Sequence, residues 1–429
     1  MEADLRRIQR SALTGLLALM LAGAAVAASP SDLLQINGFV SQGYLNTWDN
    51  NYLIPRSVNG SAEFTEAAIT VVAQPQDKLR VGIQLLARNF GDTGNGFVSV
   101  DWAYGDYRWR DWMGVRAGKV KMPFGFYNEG RDVDMLRTSI FLPQSIYNET
   151  MRDFILAYEG VGIYGNVSLG SWGEGDYHVF GGTLNVPDPT RGFWADVYNS
   201  AGVLLEDEIS ELISEDLGAP ATATFYQNTD QVVSFPWIYG GGITWDTPLE
   251  GLRLGASGLQ GRFNFQGNVR YDVLVDRGAG SLEYLPATLR MDETTKINHI
   301  AVFGAEYLRD SWGLASEYYH EDIGNGTRYG WYAQVDWQAA DRWALGAYYS
   351  IGQGDDDDFE GVGLPDYYEW QKDLTLSLRI DLTDHWLFKV EHHTIDGVGG
   401  VSWDSLEEEI SDPREQHWGM FSAKTTFHF

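Results

Sequence analysis

The sequence predicts an all-β fold: a transmembrane antiparallel β-barrel of about 16 strands whose third outer loop folds inward. Three observations support this fold class: an export signal at the N-terminus, period-two alternation of apolar residues, and a last strand that ends on Phe429. Strands that cross a membrane must close into a ring, because no backbone group can be left unpaired in lipid. The predicted domains are a signal peptide at 1–28 and the barrel at 29–429.

The N-terminus has the three parts of a secretory signal peptide. Basic residues lie within the first ten positions, an apolar run follows at 13–22, and small residues occupy 25–28. The run is shorter than the roughly 20 apolar residues of a spanning helix. We therefore expect cleavage after Ala27 or Ala28, and no later segment is apolar enough for a transmembrane helix.

Composition narrows the classes of partner. The chain has no cysteine, so disulfide bonds and cysteine metal sites are excluded. Its formal net charge of −30 argues against nucleic acid, which favours basic surfaces. The acidic groups are interpreted in two ways: as a solvated outer surface, or as an acidic interior that attracts cations.

Four stretches show the alternation most clearly, with apolar residues on one side and small or polar residues on the other. The apolar sides carry Leu79, Val81, Ile83 and Leu85; Trp331, Ala333, Val335 and Trp337; Trp343, Leu345, Ala347 and Tyr349; and Leu374, Leu376, Leu378 and Ile380. This is the pattern of strands with one side toward lipid and the other toward water. A soluble β-sandwich also alternates, but these stretches reach the roughly 9–11 residues needed to cross a bilayer.

The connections alternate in length, as expected when short turns face the periplasm and long loops face outward. Short turns are predicted at 74–77, 109–113, 339–341 and 383–384. Long loops are predicted at 47–62, 122–153, 185–230, 264–295, 353–368 and 397–415. The stretch 231–295 is ambiguous, which leaves 14 or 18 strands as alternatives to 16.

In the last strand, Phe427 and Phe429 lie on the same side as Phe421 and Ala423. A terminal strand that ends in Phe resembles the assembly signal that bacterial outer-membrane proteins present to their insertion machinery. The resemblance implies an outer-membrane location in a Gram-negative bacterium, with lipid and lipopolysaccharide as surroundings.

The segment 122–153 is the candidate functional element. Its apolar content argues against disorder, and a loop of this length in a compact fold is usually functional. We expect it to fold into the barrel and to form a constriction. Its charged residues are Glu129, Arg131, Asp132, Asp134, Arg137, Glu149, Arg152 and Asp153. The predicted pore-wall cations are Arg80, Arg88, Arg116, Arg379 and Lys389. Opposed charges would create a transverse field; alternatively, they pair and anchor the loop.

The segment Gly118-Lys119-Val120-Lys121-Met122-Pro123-Phe124-Gly125 resembles the start of the third loop in trimeric Gram-negative porins, including the phosphate-selective porin O and P group. The resemblance implies a 16-stranded barrel, a homotrimer and a constriction loop. Phosphate-selective members carry many interior lysines, whereas this chain has few lysines and a large acidic excess. A general or mildly cation-preferring channel therefore fits better.

The predicted function is a passive porin for small hydrophilic solutes, with no enzymatic activity and no cofactor. The alternative is a substrate-specific channel for a small organic solute or ion, which the aromatic residues of 122–153 suggest. A lipid-facing hydrolase and a structural or adhesive barrel are two further hypotheses, but no Ser-His-carboxylate triad can be assembled for the first.

Three further signals concern metals and loops. The run Asp355–Asp358 with Glu360 could bind Ca²⁺ in an outer loop, since hard oxygen ligands suit this ion, or form a solvated loop tip. The segment 204–217 has helical spacing and precedes Gly218, which predicts a short acidic helix. His392 and His393 are adjacent and must point to opposite sides of a strand, so we predict no metal site there.

Overall fold

A computed structural model describes residues 34–91, 93–94, 96–186, 188–324, 326–356, 364–401 and 413–429. The chain forms a closed barrel of 16 strands. In chain order they are β1 (Leu34–Trp48), β2 (Phe64–Gln76), β3 (Leu79–Phe90), β4 (Val98–Arg110), β5 (Met113–Lys121), β6 (Ala157–Ser168), β7 (Glu174–Thr183), β8 (Ala221–Asp246), β9 (Leu252–Asp276), β10 (Leu282–Arg309), β11 (Trp312–Ile323), β12 (Gly326–Ala340), β13 (Trp343–Asp356), β14 (Trp370–Thr383), β15 (Trp386–Asp396) and β16 (His417–His428).

Every strand pairs antiparallel with its neighbours in sequence, and β1 pairs with β16 to close the ring. The closing register runs from Phe39 opposite His428 to Trp48 opposite Gly419. Closure removes the two sheet edges, so the backbone groups of both terminal strands are paired. The predicted fold class is confirmed, with 16 strands rather than 14 or 18. The predicted signal peptide lies outside the described residues.

The predicted alternation is present in three dimensions. On β14, Leu374 and Leu376 are 47% and 57% exposed, whereas Thr375 and Ser377 between them are 0% and 6% exposed. Apolar side chains therefore point outward and polar ones inward, as expected of strands that cross lipid.

Outward aromatic residues mark the two boundaries of the apolar band. Trp312 and Trp337 stack at the end with the short turns, with ring centroids 5.4 Å apart. Toward the other end, Tyr318 lies directly opposite Trp331. Aromatic residues at both boundaries are typical of transmembrane barrels.

Short turns join the strands at one end of the barrel and longer segments join most of them at the other. The long segment between β5 and β6 is the third connection at that end, as predicted. The predicted long loop at 264–295 is wrong: β9 continues to Asp276, a tight turn follows, and β10 begins at Leu282. The predicted loop at 185–230 is also too long, because β8 begins at Ala221.

Helices cover one part of the long-loop end. A short helix, α1 (Arg152–Ile155), precedes β6, and α2 (Gly192–Leu204) and α3 (Glu206–Leu217) lie between β7 and β8. The acidic helix predicted from the sequence corresponds to α3, which ends at Gly218 in a left-handed conformation (φ 61°). Side chains of α2 and α3, including Trp194 and Ile209, pack with buried residues of the extended β8–β10 strands.

None of the helices in the described ranges is long and apolar enough to cross a membrane.

Candidate functional site

The connection between β5 and β6, residues 122–156, is called L3 below. It contacts inward side chains of strands that are spread around the ring. L3 groups bond to β3 and β4 on one side, to β9 and β11 on another, and to β14, β15 and β16 on a third. These contacts divide into four groups.

The first group joins L3 to β3 and β4 through buried ion pairs. Arg88 on β3 contacts Glu149 at 2.6 Å and Glu66 on β2 at 3.2 Å. Glu149 also accepts a hydrogen bond from Arg131, 3.1 Å away. Arg152 at the start of α1 donates to both carboxylate oxygens of Asp101, at 3.0 and 3.1 Å. Such bidentate pairs fix orientation as well as position.

The second group surrounds Asp134, whose side chain is 2% exposed. Its carboxylate lies 2.8 Å from Lys424 on β16 and 3.2 Å from Arg137 in L3, and it accepts a hydrogen bond from Thr426. Its backbone carbonyl accepts a hydrogen bond of 2.7 Å from the fully buried Lys389 on β15. This part of L3 is therefore held by cations from two neighbouring strands.

The third group holds the backbone of L3. Glu391 on β15 accepts hydrogen bonds from the amides of Ile140, at 2.5 Å, and Phe141, at 3.2 Å. His393 bridges Glu391 and Asp373 at 2.8 Å on each side, and all three side chains are buried. The two ring nitrogens of His393 each bond to one of these carboxylates. The bond to Glu391 helps to orient this carboxylate toward the amides of the loop.

The fourth group is centred on Glu317 of β11. This buried carboxylate accepts hydrogen bonds from the hydroxyls of Tyr147 (2.5 Å) and Tyr332 (2.7 Å) and from the amide of Phe126 (2.8 Å). On the opposite side of the loop, Phe141 stacks on Phe64 with ring centroids 5.5 Å apart. The aromatic residues of L3 thus pack against the wall.

Two buried carboxylates of L3, Glu149 and Asp134, are stabilised in the charged form. Burial alone would raise the pKa of Glu149, but the neighbouring cations, Arg131 first, lower it to about 2. Burial would likewise raise the pKa of Asp134, but Lys424 and the other cations hold it well below its ordinary value. Both carboxylates therefore remain ionised throughout the neutral range.

Two of the predicted charged loop residues keep more contact with solvent than the others: Glu129 is exposed and Asp153 is half-buried. The side chain of Glu129 is 52% exposed, although it lies 4.0 Å from His178 on β7. Enclosure by the surrounding protein raises the pKa of Glu129, while Arg116 and Lys121 act in the opposite sense. Asp153, beside Arg152, is 30% exposed. Water therefore has access to L3 at these two side chains.

The predicted wall cations fall into two sets. Arg88, Arg379 and Lys389 bond directly to L3. Arg80 and Arg116 instead contact Asp106 on β4, at 3.5 and 3.1 Å. Among the predicted loop residues, Asp132 contacts Lys121 at 2.6 Å.

Sequence reasoning missed the wall acids and one wall cation that hold L3, either by direct contact or through a neighbouring wall residue. These residues are Glu66, Asp101, Glu317, Asp373, Glu391 and Lys424. The alternation along the strands could have predicted that some of these side chains face inward. Glu391 lies two residues after Lys389 and therefore on the same side of β15. Lys424 lies between the apolar outward residues of β16. His393 was considered only as a metal ligand.

Among the described residues, no group of three or more His, Asp or Glu could hold a metal ion. The predicted calcium site includes positions 357, 358 and 360, which lie outside the described residues.

No family model matches the chain, and no curated protein matches it either. Solved structures do. OmpF of Salmonella typhi, in complex with daunomycin, is similar with a TM-score of 0.54 and 10% identity, over 92% of this chain and 97% of that chain. Outer-membrane expressed OmpT of Vibrio cholerae is similar with a TM-score of 0.50 and 12% identity. The outer-membrane channel DcaP of Acinetobacter baumannii is similar with a TM-score of 0.50 and 11% identity. Each of these two matches covers 92% of this chain and 97% of the other chain.

Identities of this size show the fold alone. The chain has the barrel fold of Gram-negative outer-membrane proteins, and the predicted outer-membrane location agrees with that fold.

Proposed function

We propose that this protein is a passive porin that admits small hydrophilic solutes across the outer membrane, with a mild preference for cations and no enzymatic activity. L3 folds into the barrel and narrows it. The observation that supports a water-filled path is the exposure of Glu129: this loop side chain lies beside an inward histidine of the wall, yet half of it remains accessible to water.

The cation preference rests on which charges are buried. The side chains of Arg88, Arg131 and Arg152 are at most 4% exposed and are paired with carboxylates. The carboxylates of Glu129 and Asp153 remain accessible. An accessible acidic group in a confined aqueous path raises the local concentration of cations.

A substrate-specific channel finds less support. The aromatic residues that suggested it include Phe124, Phe141 and Tyr147, and these are 6%, 2% and 0% exposed. Side chains packed into the wall cannot stack on a passing solute.

The resemblance at Gly118–Gly125 also supports a homotrimer. The expected partners of this trimer in the cell are the barrel-insertion machinery, outer-membrane lipid and lipopolysaccharide. Light scattering of the purified protein, corrected for bound detergent, would give the mass of the assembly.

Planar-bilayer recordings test the channel. We expect discrete open-channel currents and a reversal potential of cationic sign in a KCl gradient. The variant Glu129→Gln should lower the cation preference, whereas Asp111→Asn, which removes a 92% exposed carboxylate at a short turn, should not. A folded barrel without current would refute the channel, and a strong anion preference would refute the proposed selectivity.

A further inference from the structure

The outward surface of β9 and β10 carries two adjacent cations without an acidic partner. Arg262 on β9 lies directly opposite Lys296 on β10, and both side chains are exposed. Directly opposed side chains on neighbouring strands have Cβ atoms about 4.5–5.5 Å apart, and like charges at this distance repel. Within the described ranges, no carboxylate lies within 4.0 Å of either cation. A chain with a net charge of −30 thus leaves two positive charges together.

The pair lies at the outer boundary of the apolar band. Trp237 on β8 is directly opposite Arg262, and it stacks on Tyr239 with ring centroids 5.5 Å apart. These two aromatic residues are 40% and 50% exposed. Stacked outward aromatics at this end of the barrel mark the membrane interface, where lipid headgroups lie.

The same strands show where lipid ends. Toward the short turns, outward Ile243 on β8 and Phe303 on β10 are 61% and 56% exposed. Immediately beyond the cations, the outward residues of the extended hairpin are polar, such as Gln266 paired with Asp292. The pair therefore lies where acyl chains give way to water.

We propose that Arg262 and Lys296 form a binding site for the phosphate of a lipid headgroup in the outer leaflet. One phosphate can accept hydrogen bonds from both cations and remove their mutual repulsion. The acyl chains of the same lipid lie along the apolar residues below. A lipid is favoured over free phosphate because the site faces the bilayer and continues into the apolar band. The proposal uses the outer-membrane location but not the transport function.

The test uses phosphatidic acid, whose headgroup is a phosphomonoester, added to the detergent-solubilised protein and detected as bound lipid by native mass spectrometry. Each cation near a membrane surface contributes about a fivefold factor in affinity. The double variant Arg262→Gln/Lys296→Gln should therefore bind phosphatidic acid about 25-fold more weakly than the native chain. Phosphatidylcholine, whose phosphate is masked by a cationic group, should show a much smaller difference.

Arg277→Gln is the matched control. It removes an exposed cation from the same hairpin, but one whose charge already pairs with Glu283 at 2.8 Å. Equal affinity of native chain and double variant for phosphatidic acid would overturn the proposal. Inorganic phosphate that binds as tightly as phosphatidic acid would overturn the assignment to a lipid. Bilayer currents of the double variant should stay native, which separates this test from that of the channel.

Discussion

The buried carboxylate of Glu149 offers the most direct test of how L3 is held. In Glu149→Gln the side chain keeps its shape but loses its charge between Arg88 and Arg131. Arg88 retains Glu66 at 3.2 Å. Arg131 retains only the backbone carbonyls of Tyr147 and Asn148 among its described hydrogen-bond partners outside Glu149, so its charge becomes unpaired.

The size of the effect follows from the pKa. Lowering the pKa of Glu149 from 4.5 to about 2 corresponds to about 3 kcal/mol of preference for the ionised carboxylate in the folded protein. We expect the loop to detach about 100-fold more often in the variant, since about 1.4 kcal/mol is a factor of ten.

The assay is single-channel recording. Detachment of L3 should appear as more frequent conductance transitions in Glu149→Gln than in the native protein. Because the pKa is lowered on folding, this stabilisation is complete above pH 4.5 and is lost as the pH falls toward 2. Native channels should therefore become noisy over that range, and the variant should depend less on pH.

Glu211→Gln provides the control, because it removes an exposed carboxylate of helix α3 that is outside this network. If Glu149→Gln and Glu211→Gln give the same current noise at neutral pH as the native protein, the ion pairs do not hold the loop.

Three other changes test the wall, the lipid face and assembly. Gly330→Val places a Cβ against the carbonyl of Ser145 and should displace L3 and change the single-channel conductance, whereas Gly105→Val, where a Cβ meets open space, should not. Leu376→Lys puts a charge on a 57% exposed outward site and should cost about 2–4 kcal/mol, measured by urea unfolding in vesicles; an unchanged midpoint would contradict the lipid face. Phe429→Ala should reduce the folded fraction in cells, measured by heat-modifiable electrophoresis, but not the stability of barrels refolded in detergent, since this side chain is 67% exposed.

The sequence was sufficient for the wall of the barrel and for the place of L3 as the third connection at the long-loop end. Parity along a strand decides which side a residue faces, so Lys389 and Arg379 could be assigned inward from β14 and β15 alone. The partners of L3 could not be assigned in this way. Contacts such as Ile140 with Glu391 join positions far apart in sequence, and they depend on the path that the loop takes past the wall strands.

The mistaken loop at 264–295 has a physical cause. In the membrane-spanning part of β9, outward residues are small or apolar, such as Leu254 and Ala256. Farther along the same strand the phase reverses: Val269, Tyr271 and Val273 face inward and are buried, while Arg270 and Asp272 between them are exposed. A search for apolar outward residues therefore stops before the strand does.

This reversal reflects a change of surroundings on both sides of the sheet. Outside the bilayer the outer side meets water, and the inner side is covered by α2 and α3. Side chains still alternate between the two sides, because the strand continues. The apolar residues, however, now lie on the inner side, because the helices make that side apolar. On β9 the change from small or apolar to polar outward residues occurs at Gln260 and Arg262, beside Trp237 and Tyr239 of β8. The change in the side that carries apolar residues, which led to the wrong loop prediction, therefore also marks the outer boundary of the apolar band. The proposed headgroup phosphate would bind at this boundary.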